Sequence, residues 1–213
     1  MFSKPSKYEI DHQTIKLIVG VIAISLGNVT SFLSGATITS ISEAYYADSW
    51  ARNVLVGFLF AISAFLLAYN GESRREMILS KIAAVAAIGV AMFPCACDLH
   101  EEIIPYVHYV SAAVMFSVLA AFCLIFYWRA VKKGHREALW RARIYTICFL
   151  LILGSMATIA FDYFSNDALT AIVNRLTYYC ERAGLIAFGV SWLTASRVLP
   201  IITSKSERFS PFN

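Results

Sequence analysis

Seven residues have the types and spacing to hold or process a polar ligand: Glu43, Tyr46, Arg52, His108, Tyr178, Glu181 and Arg182. Carboxylate, guanidinium, phenol and imidazole together recognise a lipid headgroup or small amphiphile by charge and hydrogen bonding. The same set offers His108 or Glu43 as a base for hydrolysis. Arg175, Tyr178, Tyr179 and Arg182 follow one another at i, i+3, i+4 and i+7, one polar and aromatic stripe of a helix, and Asn174, Tyr178 and Glu181 form a neighbouring stripe. Glu181 lies about 100° around the helix from Arg182, so it is not expected to be that residue's sole partner. Further acidic and polar groups, Asp48, Asp98, His100, Glu101, Glu102, Asp162 and Asp167, fall in the same connections.

Each of these features also has a plainer explanation. Tyr45, Tyr46, Trp50, Tyr106, Tyr109, Tyr163, Tyr178 and Tyr179 suit an aromatic belt at a membrane interface. Glu181 and Arg182 suit an ion-pair network that fixes a helix, and Asp48 with Arg52 suits a staple at a helix start. His108 and Ser111, three apart, resemble an activated nucleophile, but serine is also common packing glue between membrane helices. No Gly-x-Ser-x-Gly elbow, His-Glu-x-x-His helix or phosphate-cradling glycine loop accompanies them. Met92, Cys95, Cys97 and His100 make a soft-ligand run that would suit copper. A disulfide from Cys95 or Cys97 to Cys180 competes with that reading, while Cys123 and Cys148 read as packing residues. No cofactor or metal is expected.

What must position these residues is a set of membrane helices. Of 213 residues 59% are hydrophobic and 15% charged, with mean hydropathy +0.64, too few polar residues to clothe a water-soluble globule. A formal charge of +4 with no concentrated basic face excludes nucleic acid as a partner. The apolar runs predict an all-α, six-transmembrane-helix bundle over approximately 15–38, 53–70, 80–97, 104–128, 141–162 and 169–197, one integral membrane domain. Placing both termini in the cytoplasm puts fifteen of the eighteen cations inside, and leaves Arg52, Arg175 and Arg182 outside with eight of the fourteen acids. The first helix is read as uncleaved, and the Asn28 sequon within it as unreachable for glycosylation. The basic segment 128–143 is explained by this orientation. Arg182 falls roughly 22 Å from Arg197 along the last helix, within the hydrocarbon layer, where a charge needs a partner.

The stretches Ser40-Ile-Ser42-Glu-Ala-Tyr45-Tyr46, Arg52-Asn-Val-Leu-Val-Gly57-Phe-Leu, Leu67-Ala-Tyr-Asn-Gly71, Val107-His108-Tyr109-Val-Ser111 and Phe188-Gly-Val-Ser-Trp192 resemble a family of uncharacterised bacterial multi-pass membrane proteins, a domain of unknown function. That resemblance implies a location in the cytoplasmic (inner) membrane and no particular activity. A more distant similarity is to alkaline ceramidases and progestin/adipoQ receptors. Those carry a late His-x-x-x-His pair for zinc that this chain lacks. The expected function is therefore binding of a lipid headgroup or small amphiphile in a pocket at the outer face, with membrane lipids as partners. The alternatives are an accessory subunit docked on other membrane subunits, and a membrane-embedded hydrolase. Transport is disfavoured because no ionisable residue is assigned to the inner half of the spans.

Overall fold

The computed structural model describes residues 11–47, 49–97, 100 and 104–210. Among them run six α-helices and no strand: α1 (His12–Leu33), α2 (Trp50–Ala68), α3 (Arg74–Met92), α4 (Val107–Lys133), α5 (Arg136–Phe164) and α6 (Leu176–Ala195), with short 3-10 turns at Ser42–Tyr46 and Pro200–Ile202. Four helices, α1, α2, α4 and α5, are long and apolar enough to cross a membrane.

Each helix packs on its neighbours in the chain, and α6 returns to α1, so the six form a closed ring with α4 touching α6 across it. Glycines permit the closure. A Cβ on Gly189 would sit 2.7 Å from the Gly20 carbonyl oxygen, and one on Gly20 2.9 Å from that of Gly189, so the backbones of α1 and α6 meet directly. Inside the ring Trp192 is fully buried, with the rings of Tyr69, Phe122 and Phe188 at 5.2, 5.4 and 5.3 Å between centroids. Aromatic pairs of this geometry each add about 0.5–1.5 kcal/mol beyond the area they bury. The outer surface of α5 is apolar and open, with Ile147, Leu150, Leu151 and Leu153 exposed.

Helix ends depart from the hydrophobic runs wherever local chemistry overrides hydropathy. Helix α1 stops at Leu33, before the expected 38, because the Ser34 hydroxyl donates to the Ser31 and Ala36 carbonyls and Gly35 turns with φ +68°. Helix α3 stops at Met92, because Pro94 has no amide to donate and disfavours helical Phe93. Helix α4 runs on to Lys133 and ends at Gly134 with φ 72°. The largest difference is α6, which begins at Leu176 rather than near 169. Asp162 accepts hydrogen bonds from the Leu169 and Thr170 amides at 2.8 and 3.1 Å, which bends the chain into turns, and Arg175 takes a left-handed φ of 63° just before the helix. Arg175 and Asn174 therefore do not belong to the helical stripes expected for them.

The first turns of α1, α3 and α5 gather with the last turns of α2, α4 and α6 at one end. Lys16 lies over Tyr69 and Phe126, Arg129 reaches Glu76, and Arg141 reaches the segment after α6. We call this the basic end. The opposite end holds Glu43, Glu181 and most of the tyrosines and is the acidic end.

Candidate functional site

At the acidic end the chain between α1 and α2 folds over the mouth of the ring, shaped by two carboxylates. Glu43 closes its own turn: Oε2 accepts from the Thr39 amide at 2.5 Å and the Thr39 hydroxyl at 2.7 Å, while Ser40 Oγ accepts from the Glu43 amide at 3.0 Å. Glu181 anchors that turn to α6: Oε2 accepts from the Ile41 amide at 2.5 Å and Oε1 from the Ser42 hydroxyl at 3.4 Å. A carboxylate bonded by backbone amides acts here as a clasp between segments 140 residues apart in sequence.

Two more of the predicted site residues reinforce the clasp. The Tyr178 amide donates to the Thr39 carbonyl at 2.9 Å, and its ring is buried with the hydroxyl 3.5 Å from the Gly27 carbonyl. Arg182 donates from Nε to Asn28 Oδ1 at 2.8 Å, so the guanidinium is met by an α1 amide and not by Glu181. Arg175 serves the same junction from outside α6, donating from Nε to the Ile38 carbonyl at 2.7 Å and lying 4.3 Å from the Tyr178 ring centroid.

A pocket of about 300 Å³ opens beside this clasp, lined by Ser34, Ala36, Thr37, Ile38, Glu43, Tyr46, Ala47 and His100. Tyr46 donates its hydroxyl to the Cys95 carbonyl at 2.7 Å and stacks on His100 at 3.7 Å between ring centroids, 11° from parallel. Of the seven expected ligand-binding residues, Glu43 and Tyr46 line this pocket; Arg52, His108, Tyr178, Glu181 and Arg182 do not. Arg52 is exposed, 5.8 Å from the Tyr45 ring centroid. His108 is buried and donates from Nδ1 to the Phe93 carbonyl at 2.7 Å. Ser111 makes no hydrogen bond to His108; it packs on α3 where Gly89 has no side chain. Asp48, Asp98, Glu101 and Glu102 lie outside the described residues.

Cys95 and Cys97 are joined to each other, and Cys180 is a free thiol, so the alternative of a bridge to Cys180 is not the one made. The two sulfurs needed for a Met92, Cys95, Cys97 and His100 copper set are consumed in that bond. Among the described residues no three His, Cys, Asp or Glu side chains converge.

The basic end holds a second polar cluster. Glu76 is almost fully buried; it accepts from the Tyr69 hydroxyl at 3.2 Å and the Ser73 hydroxyl at 3.1 Å and pairs with Arg129, which also holds Glu72 at 2.9 Å. Gly71, with φ +64°, makes room for it, since a Cβ there would come within 2.5 Å of that of Glu76. Across the ring, buried Arg141 donates to the Ile202 carbonyl at 2.9 Å and to Glu207 at 2.8 Å, and Lys133 pairs with the same carboxylate. Burial by itself would raise the Glu207 pKa. Hydrogen bonds from Lys133 and Arg141 and their two charges outweigh it and bring the carboxyl down to about 2. Every ion pair among the described residues lies at this end. The sequence signal available was Lys16 and Glu76, ionisable residues within one or two turns of apolar runs.

Comparison with protein-family models, with curated proteins and with solved structures finds no match to this chain.

Proposed function

We propose that the protein is an integral protein of a bacterial cytoplasmic membrane, crossing it six times with both termini in the cytoplasm, and that the pocket at its acidic, outward end binds a lipid headgroup or small amphiphile. The observation that carries this reading is the pocket itself. About 300 Å³ is the lower end of the range for small-molecule sites, and it is bounded by apolar Ala36, Ile38 and Ala47 on one hand and polar Ser34, Thr37, Glu43, Tyr46 and His100 on the other. Glu43 supports a cationic or hydrogen-bond-donating headgroup. Its Oε2 holds the turn, whereas Oε1 accepts no hydrogen bond from any described residue. The Tyr46 and His100 rings add faces over which an ammonium can sit.

Native mass spectrometry of the purified protein with phosphatidylethanolamine and, separately, phosphatidylglycerol tests this. Preferential retention of phosphatidylethanolamine, reduced about ten-fold by Glu43→Gln, is the expected result; equal retention of both lipids by wild type and variant overturns the reading. Cysteine labelling at Ser206 and Asn166 tests the orientation, with only the second position accessible from outside the cell.

A further inference from the structure

A different cleft lies at the basic end, bounded by Lys16, Phe126, Arg129, Ala130, Lys133, Arg141, Tyr145, Ala195 and Arg197. Five of its nine lining residues are cations, drawn from α1, α4, α5 and the residue pair after α6, and no carboxylate of the described residues lines it. The cleft holds about 20 Å³, room for one water-sized group, and is partly open to the outside.

Two of these cations make no side-chain hydrogen bond or ion pair with any described residue, and Glu72 and Glu76, whose charges Lys16 feels, are held by Arg129. Lys16 is 2% exposed, and among the described residues its ammonium lies over ring faces, Tyr69 at 5.7 Å and Phe126 at 5.6 Å from the centroids. Arg197 makes no side-chain hydrogen bond or ion pair with any described residue, and its backbone is held at a left-handed φ of 60°, with its carbonyl accepting from the Phe209 amide at 3.2 Å. An ammonium buried without an acceptor is costly. So is a non-glycine residue in that region of φ. The other three cations are already paired, Arg129 with Glu72 and Glu76, Lys133 and Arg141 with Glu207, which fixes their directions and leaves each with further N–H groups.

We propose that this cleft is a binding site for a phosphate group, with Lys16 and Arg197 as its principal ligands and Arg129, Lys133 and Arg141 as its walls. Lys16 offers an ammonium and Arg197 a guanidinium from the lining to the oxygens of such a group. The chemistry is that of a phosphate bearing at least one full negative charge and unshielded oxygens, and guanidinium with ammonium is the donor set such a group selects. A phospholipid of the inner leaflet and a soluble phosphate both present it. This site is independent of the pocket at the acidic end.

The test uses the full-length protein in two arms. In detergent, inorganic phosphate is titrated by calorimetry; in nanodiscs, retention of phosphatidic acid is compared with that of phosphatidylcholine, whose phosphate is covered by choline. Binding in the first arm identifies a soluble source, and selective retention of phosphatidic acid in the second a lipid source. In either case Arg197→Gln and Lys16→Met are expected to weaken binding about ten-fold or more each. Arg143→Gln, which removes a charge stacked on Trp140 outside the cleft, is expected to leave it unchanged. Lys16→Met keeps the shape of the buried stem and removes its charge, so its unfolding temperature is expected to equal or exceed that of wild type; Arg197→Gln carries the test should Lys16→Met not fold. The proposal is overturned if wild type binds neither probe at millimolar concentration. It is equally overturned if Arg197→Gln binds as wild type does, or if Arg143→Gln loses as much as Arg197→Gln.

Discussion

The two ends of the bundle handle buried charge in opposite ways. At the acidic end Glu43 and Glu181 are answered by backbone amides and hydroxyls, and Arg182 by the Asn28 side-chain amide. At the basic end Glu72, Glu76 and Glu207 are answered by Arg129, Lys133 and Arg141. The first arrangement ties a turn's backbone to a helix and so sets the shape of a pocket. The second joins side chains of different helices and so sets how the helices meet. Removing one member of a buried ion pair strands a charge, whereas removing a carboxylate from neutral donors strands only dipoles. The basic end should therefore be the more sensitive of the two.

Glu76→Ala gives the largest effect. It leaves Arg129 with Glu72 alone and the Tyr69 hydroxyl without its acceptor, a destabilisation of about 3–5 kcal/mol, read as a lowered unfolding temperature in detergent. Glu181→Ala is expected to cost less, about 1–3 kcal/mol, and to raise hydrogen exchange at the Ile41 amide. If Glu181→Ala costs as much as Glu76→Ala, the contrast between the ends fails. A pH titration sharpens it further. Because the Glu207 carboxyl is held at about 2, below its ordinary 4.5, its contribution is fully present above pH 4.5 and is lost as pH falls toward 2. Protection of the amides in 200–210 against hydrogen exchange, relative to the intrinsic rate at each pH, should therefore stay high down to about pH 4.5 and fall below it, and Glu207→Gln should show low protection throughout. The smallest effect is Arg52→Gln, an exposed charge beside a ring, expected to change stability by less than about 0.5 kcal/mol in the same melts.

Much of the helical layout was legible from hydropathy, because apolar runs near the thickness of a bilayer have few alternatives to helix. Their ends were less legible. Hydropathy takes no account of the Asp162 side chain capturing two amides, or of Arg175 in a left-handed turn, and these shorten α6 and remove Arg175 from its stripe. The acidic-end residues were recognised as a group, yet the stripe arithmetic did not separate those that line a pocket, Glu43 and Tyr46, from those that brace it, Tyr178, Glu181 and Arg182. That separation depends on where the 38–46 turn rests on α6, a contact between segments far apart in the chain. Ser34, Thr37 and His100 join the lining for the same reason.

The amino-acid sequence alone determined that the chain is apolar and helical and that most of its cations fall in alternate connections, since composition and charge order along a chain are properties of no other object. The tertiary structure decided which charges meet. Lys16, Glu76, Arg129, Arg141, Arg197 and Glu207 come from separate parts of the chain and share one end because successive helices pack side by side and α6 returns to α1. Coulomb energy depends on distance in space and on burial, and neither can be read from position along a chain.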